Sequence, residues 1–169
     1  LYLQTEWERA VRERTNLSLI LGEIDFFKTF NKVYGNVAAE DCLRQVAKAI
    51  EQVIQAVRFG HNENNNGDLI ARYDRDRFIV ILPNTGGDRT LEIAQSLCQK
   101  IKDLAIVTNN FSLKVGGFPA NVVTISVGVA TTLASPNGNC NLLVQTVEKA
   151  LYQSKREGRD RVTFIHRSD

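Results

Sequence analysis

Hydrophobic and polar positions change their period several times along this chain, and each change marks an element. Leu3, Trp7, Ala10 and Val11 recur at helical spacing among charged residues, which predicts a helix over 1–14. The apolar run LSLILGEID (17–25) predicts a strand buried on both faces. FFKTFNKVY (26–34) predicts a short helix stopped by Gly35. Cys42, Val46, Ile50, Val53 and Val57 form one stripe of a long helix over about 38–58. The polar stretch 60–68 reads as a loop. LIARY (69–73) and RFIVIL (77–82) flank Asp74, Arg75 and Asp76, the pattern of a hairpin.

Leu91, Ala94, Leu97, Cys98 and Ile101 predict a helix over about 88–104. Gly116, Gly117 and Pro119 leave 105–120 without a regular assignment. In VVTISVGVA (122–130), large apolar residues alternate with small ones, which predicts the clearest strand of the chain. A helix over about 141–157 and a strand over 160–165 close the order. The succession contains β-α-β-β-α-β, so the expected fold is α+β: a ferredoxin-like core with a mostly antiparallel central sheet flanked by helices. Nothing divides the chain, and 1–169 reads as a single domain.

Composition narrows the function. With 43% hydrophobic residues the chain has material for one core. A net charge of +2 is too small a basic bias for a sequence-independent nucleic-acid binder. Three cysteines, two of them at apolar helix positions, read as reduced thiols of a cytoplasmic protein. No apolar run reaches the ~20 residues needed to span a bilayer. The chain begins at Leu1, which points to a piece of a longer signalling protein.

Three features carry candidate chemistry. Glu23 and Asp25 close the first strand on one face, a place and residue type suited to a divalent cation or to a solvated strand end. Asp76 in the hairpin turn adds a third carboxylate, or an ordinary turn residue. Lys155, Arg156, Arg159 and Arg161 surround Gly158, as a phosphate clamp or as the usual basic end of a helix.

Four ordered blocks together resemble the GGDEF family. EIDFFKTFNKVYG (23–35) is similar to D-[IV]-D-x-F-K-x-x-N-D-x-x-G-H. ARYDRDRFIVILP (71–83) is similar to A-R-[YF]-G-G-[DE]-E-F-x-[VI]-[LI]-L-P. VTISVGVAT (123–131) resembles V-T-x-S-x-G-V-A, and ALYQSKREGRDRV (150–162) resembles A-L-Y-x-A-K-x-x-G-R-N-[RC]-V. The usual opening block, D-x-L-T-x-L-x-N-R, is absent. The resemblance implies a nucleotidyl-cyclase-like fold and the joining of two GTP into cyclic di-GMP across two facing protomers, with Mg²⁺. It implies Glu23, Asp76 and the carbonyl of Ile24 as metal ligands, and Asn31 with Glu40 as the guanine readers. It implies Lys28, Lys155 and Arg159 as phosphate contacts.

The signature departs from that pattern. Asp74-Arg75-Asp76-Arg77-Phe78 replaces G-G-D-E-F, which removes both glycines and puts Arg77 where the family's Glu helps to activate the 3′-hydroxyl. Arg77 cannot accept a proton, and the Asp-Arg-Asp-Arg stretch has no net charge where G-G-D-E carries two negative charges. Glycine permits left-handed backbone that arginine adopts much less readily. Arg75 also puts a long side chain where substrate would lie. The product-inhibition motif R-x-x-D reads Asn65-Asn66-Gly67-Asp68. The expectation is a domain of cyclic di-GMP signalling with little or no cyclase activity, acting as a regulatory or GTP-sensing module. The alternatives are an active cyclase and a dimerising interaction scaffold. Expected partners are GTP, a second copy, and regulatory domains of the same longer chain.

Overall fold

The computed structural model describes residues 1–59, 67–108, 114–115, 118–119 and 121–167. The elements run α1 (Tyr2–Glu13), β1 (Asn16–Ile24), α2 (Phe27–Tyr34), α3 (Asn36–Phe59), β2 (Leu69–Arg72), β3 (Arg77–Pro83) and α4 (Gly87–Asp103). There follow β4 (Lys114–Val115), β5 (Phe118–Pro119), β6 (Ile125–Leu133), α5 (Cys140–Arg156) and β7 (Val162–Arg167). Residues 60–66, with Asn65 and Asn66 of the inhibition motif and most of the expected polar loop, lie outside the described residues, as do Gly116 and Gly117.

The main sheet has five strands in the order β2-β3-β1-β6-β7. β1 is antiparallel to both β3 and β6, β2 is antiparallel to β3, and only β7 pairs in parallel, with β6. The expected α+β, ferredoxin-like core is therefore present, with β7 added at one edge.

β1 is the centre because both of its faces are apolar. Ile20 and Ile24 join Val80, Leu82, Val127 and Val129 in a core covered by α2, α3 and α4. Leu17, Leu19 and Leu21 join Ile79, Ile81 and Ala130 in a second core under α1 and α5, capped by Trp7, Leu143, Val147 and Leu151. Burial of each such side chain contributes about 1.5–3 kcal/mol. Gly128 faces Leu21 across the sheet. A Cβ there would stand 2.4 Å from the Leu151 nitrogen and 2.5 Å from the Val147 carbonyl oxygen. Its missing side chain is what lets α5 lie directly on β6, and α5 carries Lys155 toward the end of β1.

Most element boundaries lie within one or two residues of the sequence expectation, and β6 and the 105–120 stretch differ more. β6 begins at Ile125 rather than 122 and runs on through Thr131 and Thr132, which are buried. The Thr131 hydroxyl shares a hydrogen bond with the Ser18 hydroxyl on β1, and this satisfies a polar pair inside the sheet. In the 105–120 stretch, β4 and β5 pair as a small separate ribbon, and Val107 bridges Val122.

Candidate functional site

The end of β1 and the β2–β3 turn are stitched together through the backbone. Glu23 pairs with Arg77 across β3 and with Ser126 across β6. The Ile24 N–H donates to the Asp76 carbonyl at 3.1 Å, which brings the turn against the strand end. Lys155, in the last turn of α5, forms an ion pair with the Glu23 carboxylate. Burial, and after it the charge of Glu23, pushes the Asp76 carboxyl above the usual carboxylate range, while Arg77 and Lys155 pull the other way. Glu23, Asp76, Arg77 and Lys155 thus form one electrostatic cluster.

The turn itself is closed by its own side chains. The Tyr73 and Asp74 N–H groups donate to the Arg77 carbonyl at 2.8 and 3.3 Å. Asp74 accepts from the Arg75 N–H at 2.7 Å and from the Arg77 guanidinium at 3.0 Å. These contacts, the Arg75 N–H first, hold the Asp74 carboxyl below its ordinary value. The Arg72 guanidinium donates twice to the Arg75 carbonyl, at 2.9 and 2.6 Å. Arg77 lies 5.0 Å from the centroid of the Tyr73 ring, whose hydroxyl donates to Glu148 on α5. None of residues 74–77 has positive φ. The backbone here makes the turn without the left-handed conformation that glycine permits.

Asp25 does not join Glu23 as an open ligand, contrary to the pairing read from strand alternation. It lies one residue past β1 and is buried. Its carboxylate accepts from the Thr124 hydroxyl (2.8 Å), the Ser126 hydroxyl, and the Asp160 N–H (3.1 Å). Both oxygens are in use within the fold. Asp160 in turn pairs with Lys102 at 2.7 Å. Arg159 lies 4.5 Å from the Phe26 ring centroid.

Lys28 is exposed at the start of α2. One turn on, Asn31 has a buried Oδ1 with no hydrogen-bond partner. A buried acceptor left empty costs free energy unless something fills it, and such a group calls for an explanation. Glu40, on α3, borders a groove of about 270 Å³ with Leu43, Arg44, Ile70, Arg72 and Phe78. Asp68 is held by Arg58 in a two-point pair of 2.7 and 2.9 Å, and Arg58 also donates to Thr85 at 2.8 Å. The inhibition-motif aspartate therefore serves a buried internal arginine. That pair spans a loop and the Tyr73–Glu148 bond joins residues 75 apart in sequence, so no helical or strand period announces either.

Comparison with known proteins identifies the family and the fold. The family described as "Diguanylate cyclase, GGDEF domain" matches residues 1–161. The chain belongs to the GGDEF family. Diguanylate cyclase A of Treponema denticola is 31% identical over 152 residues, covering 90% of this chain and 36% of that protein. The response regulator PleD of Caulobacter vibrioides is 29% identical, covering 92% of this chain and 30% of that protein. This chain thus spans about a third of the length of these curated relatives. The active GGEEF domain of a diguanylate cyclase from Vibrio cholerae superposes with a TM-score of 0.77 at 24% identity, covering 97% of this chain and 92% of that one. That likeness is one of fold. Among the described residues, no helix is long and apolar enough to cross a membrane.

Within this GGDEF domain, Glu23 and Asp76 are two carboxylates brought together at the end of β1 and the β2–β3 turn. Their mutual repulsion and the ammonium of Lys155 on Glu23 mark a place that favours positive charge, and carboxylate oxygens suit Mg²⁺. Among the described residues, no three acidic, histidine or cysteine side chains gather, so a cation there would draw further ligands from backbone, water or a bound phosphate.

Proposed function

We propose that this GGDEF domain binds GTP without converting it to cyclic di-GMP at an enzyme's rate, and acts as a GTP-sensing regulatory module of a longer chain. The observation that carries this reading is the state of Arg77. Its guanidinium is tied to Asp74 and stacked on Tyr73. It stands where the family has a glutamate, and it offers no lone pair to take a proton from an attacking hydroxyl. The turn glycines that would leave room for substrate are replaced by Asp74 and Arg75.

Retained nucleotide binding is supported by Asn31, whose empty, buried Oδ1 suits a donor edge such as that of guanine. Lys28, Lys155 and Arg159 supply positive charge for phosphates, and Glu40 stands in for the second guanine-reading acid. Glu23 and Asp76, with the Ile24 carbonyl, would hold Mg²⁺, which neutralises the charge of bound phosphates. A second copy of the domain and regulatory segments of the same chain are the protein partners this reading implies.

The test is a calorimetric titration with GTP in millimolar Mg²⁺, run beside an assay for cyclic di-GMP. Saturable binding that disappears in Asn31→Ala, with no product, is the expected result. Product at an enzyme's rate sinks the first half of the reading. Absence of binding sinks the second half and leaves an interaction scaffold.

A further inference from the structure

Asp25 stands between two backbone segments held in an uncommon conformation. Phe26, its neighbour in the chain, has φ 55° at the start of α2. Across the carboxylate, Gly158, Arg159 and Asp160 are three successive residues with φ of 122°, 66° and 47°. A bulky non-glycine residue enters the left-handed region only when its surroundings fix it there. Here the surroundings converge on one side chain. Asp25 receives the Asp160 N–H, and it receives the hydroxyls of Thr124 and Ser126 on the β6 side. The two unusual segments also touch each other, because Arg159 lies over the Phe26 ring.

The two segments carry opposite ends of the nucleotide site. α2 bears Asn31, the base-reading end, with the phosphate contact Lys28 one turn before it. The last turn of α5 and the loop after it bear Lys155 and Arg159, the phosphate end. We propose that Asp25 is a positioning residue that couples α2 to the basic loop after α5 and so sets the span between the base-reading and phosphate-reading ends. The ligand consequence rests on the GTP-binding reading above, whereas the coupling itself does not.

The test compares Asp25→Ala, Asp25→Asn and Ser126→Ala in the whole domain by hydrogen exchange and by titration with GTP and with guanosine. In Asp25→Ala, amide exchange should rise roughly tenfold or more at 158–161, as expected for loss of hydrogen bonds to a charged group. It should rise together with exchange at 27–31, while Val127 and Val129 at the centre of β6 stay protected. Ser126→Ala, which removes one contact and keeps the fold, should open the same two segments by a smaller factor. Asp25→Asn should open neither. Its amide oxygen can accept from Thr124 and Asp160, and its NH₂ can donate to Ser126, whose hydroxyl turns to accept.

GTP spans both ends of the site and guanosine only one. Asp25→Ala should therefore weaken GTP roughly tenfold more than guanosine. Opening confined to 158–161, equal opening in Asp25→Asn, or equal loss of both ligands would each overturn the proposal. A wild-type domain that binds no GTP overturns the GTP-binding reading instead, and the exchange pattern then decides the coupling alone.

Discussion

Lys155 places its ammonium on the Glu23 carboxylate, one residue before the end of β1. The pair joins the last turn of α5 to the acidic end of the central strand. Beside it, Asp76 is pushed toward its protonated form by burial and by Glu23. The Lys155 side chain is 33% exposed, so an arriving phosphate has access to its ammonium beside Glu23. Lys155→Met should weaken GTP binding roughly tenfold, the worth of one charge-assisted contact. Calorimetry measures this directly. Unchanged affinity would show that Lys155 only neutralises Glu23.

Asn31 makes a prediction of opposite sign for stability and for binding. Its Oδ1 is buried and makes no hydrogen bond in the free fold. Removing an unsatisfied buried acceptor relieves a desolvation cost rather than breaking a bond. Asn31→Ala should leave the urea midpoint unchanged or raised while GTP affinity falls by roughly tenfold or more. A variant that loses stability and affinity in parallel would mean that Asn31 is structural.

The strands and helices were legible because their apolar positions follow fixed periods. The central strand's continuous run, for example, reflects two cores rather than one. The last three residues of β6, 131–133, lay beyond the expected strand. Thr131 finds its partner in Ser18, on a strand far off in sequence, which no local period reveals. The same reason hid the role of Asp25. Strand alternation put it beside Glu23, but Thr124, Ser126 and Asp160 use its oxygens first. The signature turn was legible as altered, though not in how it closes. The Arg72, Asp74 and Arg77 side chains bond the turn internally, and no left-handed residue is required.

Gly128 gives a test of how α5 is seated. An added methyl would collide with the backbone of Leu151 and Val147, at 2.4 and 2.5 Å, and backbone cannot rotate aside. Gly128→Ala should cost about 3 kcal/mol or more. At Gly86 the same methyl would meet only the Asn16 amide nitrogen, at 3.8 Å, so Gly86→Ala is the control and should cost no more than about 1 kcal/mol, the preference for glycine over alanine at this helix N-cap. Urea denaturation of both variants decides it, and equal effects would sink the argument.

Restoring the signature tests whether the altered turn limits cyclase chemistry. The triple change Asp74→Gly, Arg75→Gly and Arg77→Glu removes the Asp74–Arg77 pair and the stack on Tyr73. That pair is exposed on the Asp74 side, so its loss should cost no more than about 1 kcal/mol. Glu23, Asp76, Asn31, Lys155 and Arg159 are untouched. Cyclic di-GMP formation should therefore rise above the parent's level when GTP and Mg²⁺ are supplied. If none forms, the defect extends to Glu23 or Glu40, each a departure from the family's aspartate.

Asp25 also predicts a pH dependence of stability. Burial raises its carboxyl above the ordinary value of 3.8, against the opposing effect of the Ser126, Thr124 and Asp160 hydrogen bonds. The folded state then holds this proton more tightly than the unfolded chain. The stabilisation from that group is fully present below pH 3.8 and is lost as pH rises through the folded-state value. Asp25→Asn keeps the contacts and has no proton to lose. Its stability relative to the parent should therefore increase with pH from about 3.8 upward and level off once the parent's carboxyl is ionised. Asp76, whose carboxyl is also raised, is common to both proteins and cancels in the difference. Urea midpoints of the pair, taken in steps from acid to neutral pH, measure the slope. A difference that stays flat would mean that the three donors, rather than burial, set the charge state of Asp25.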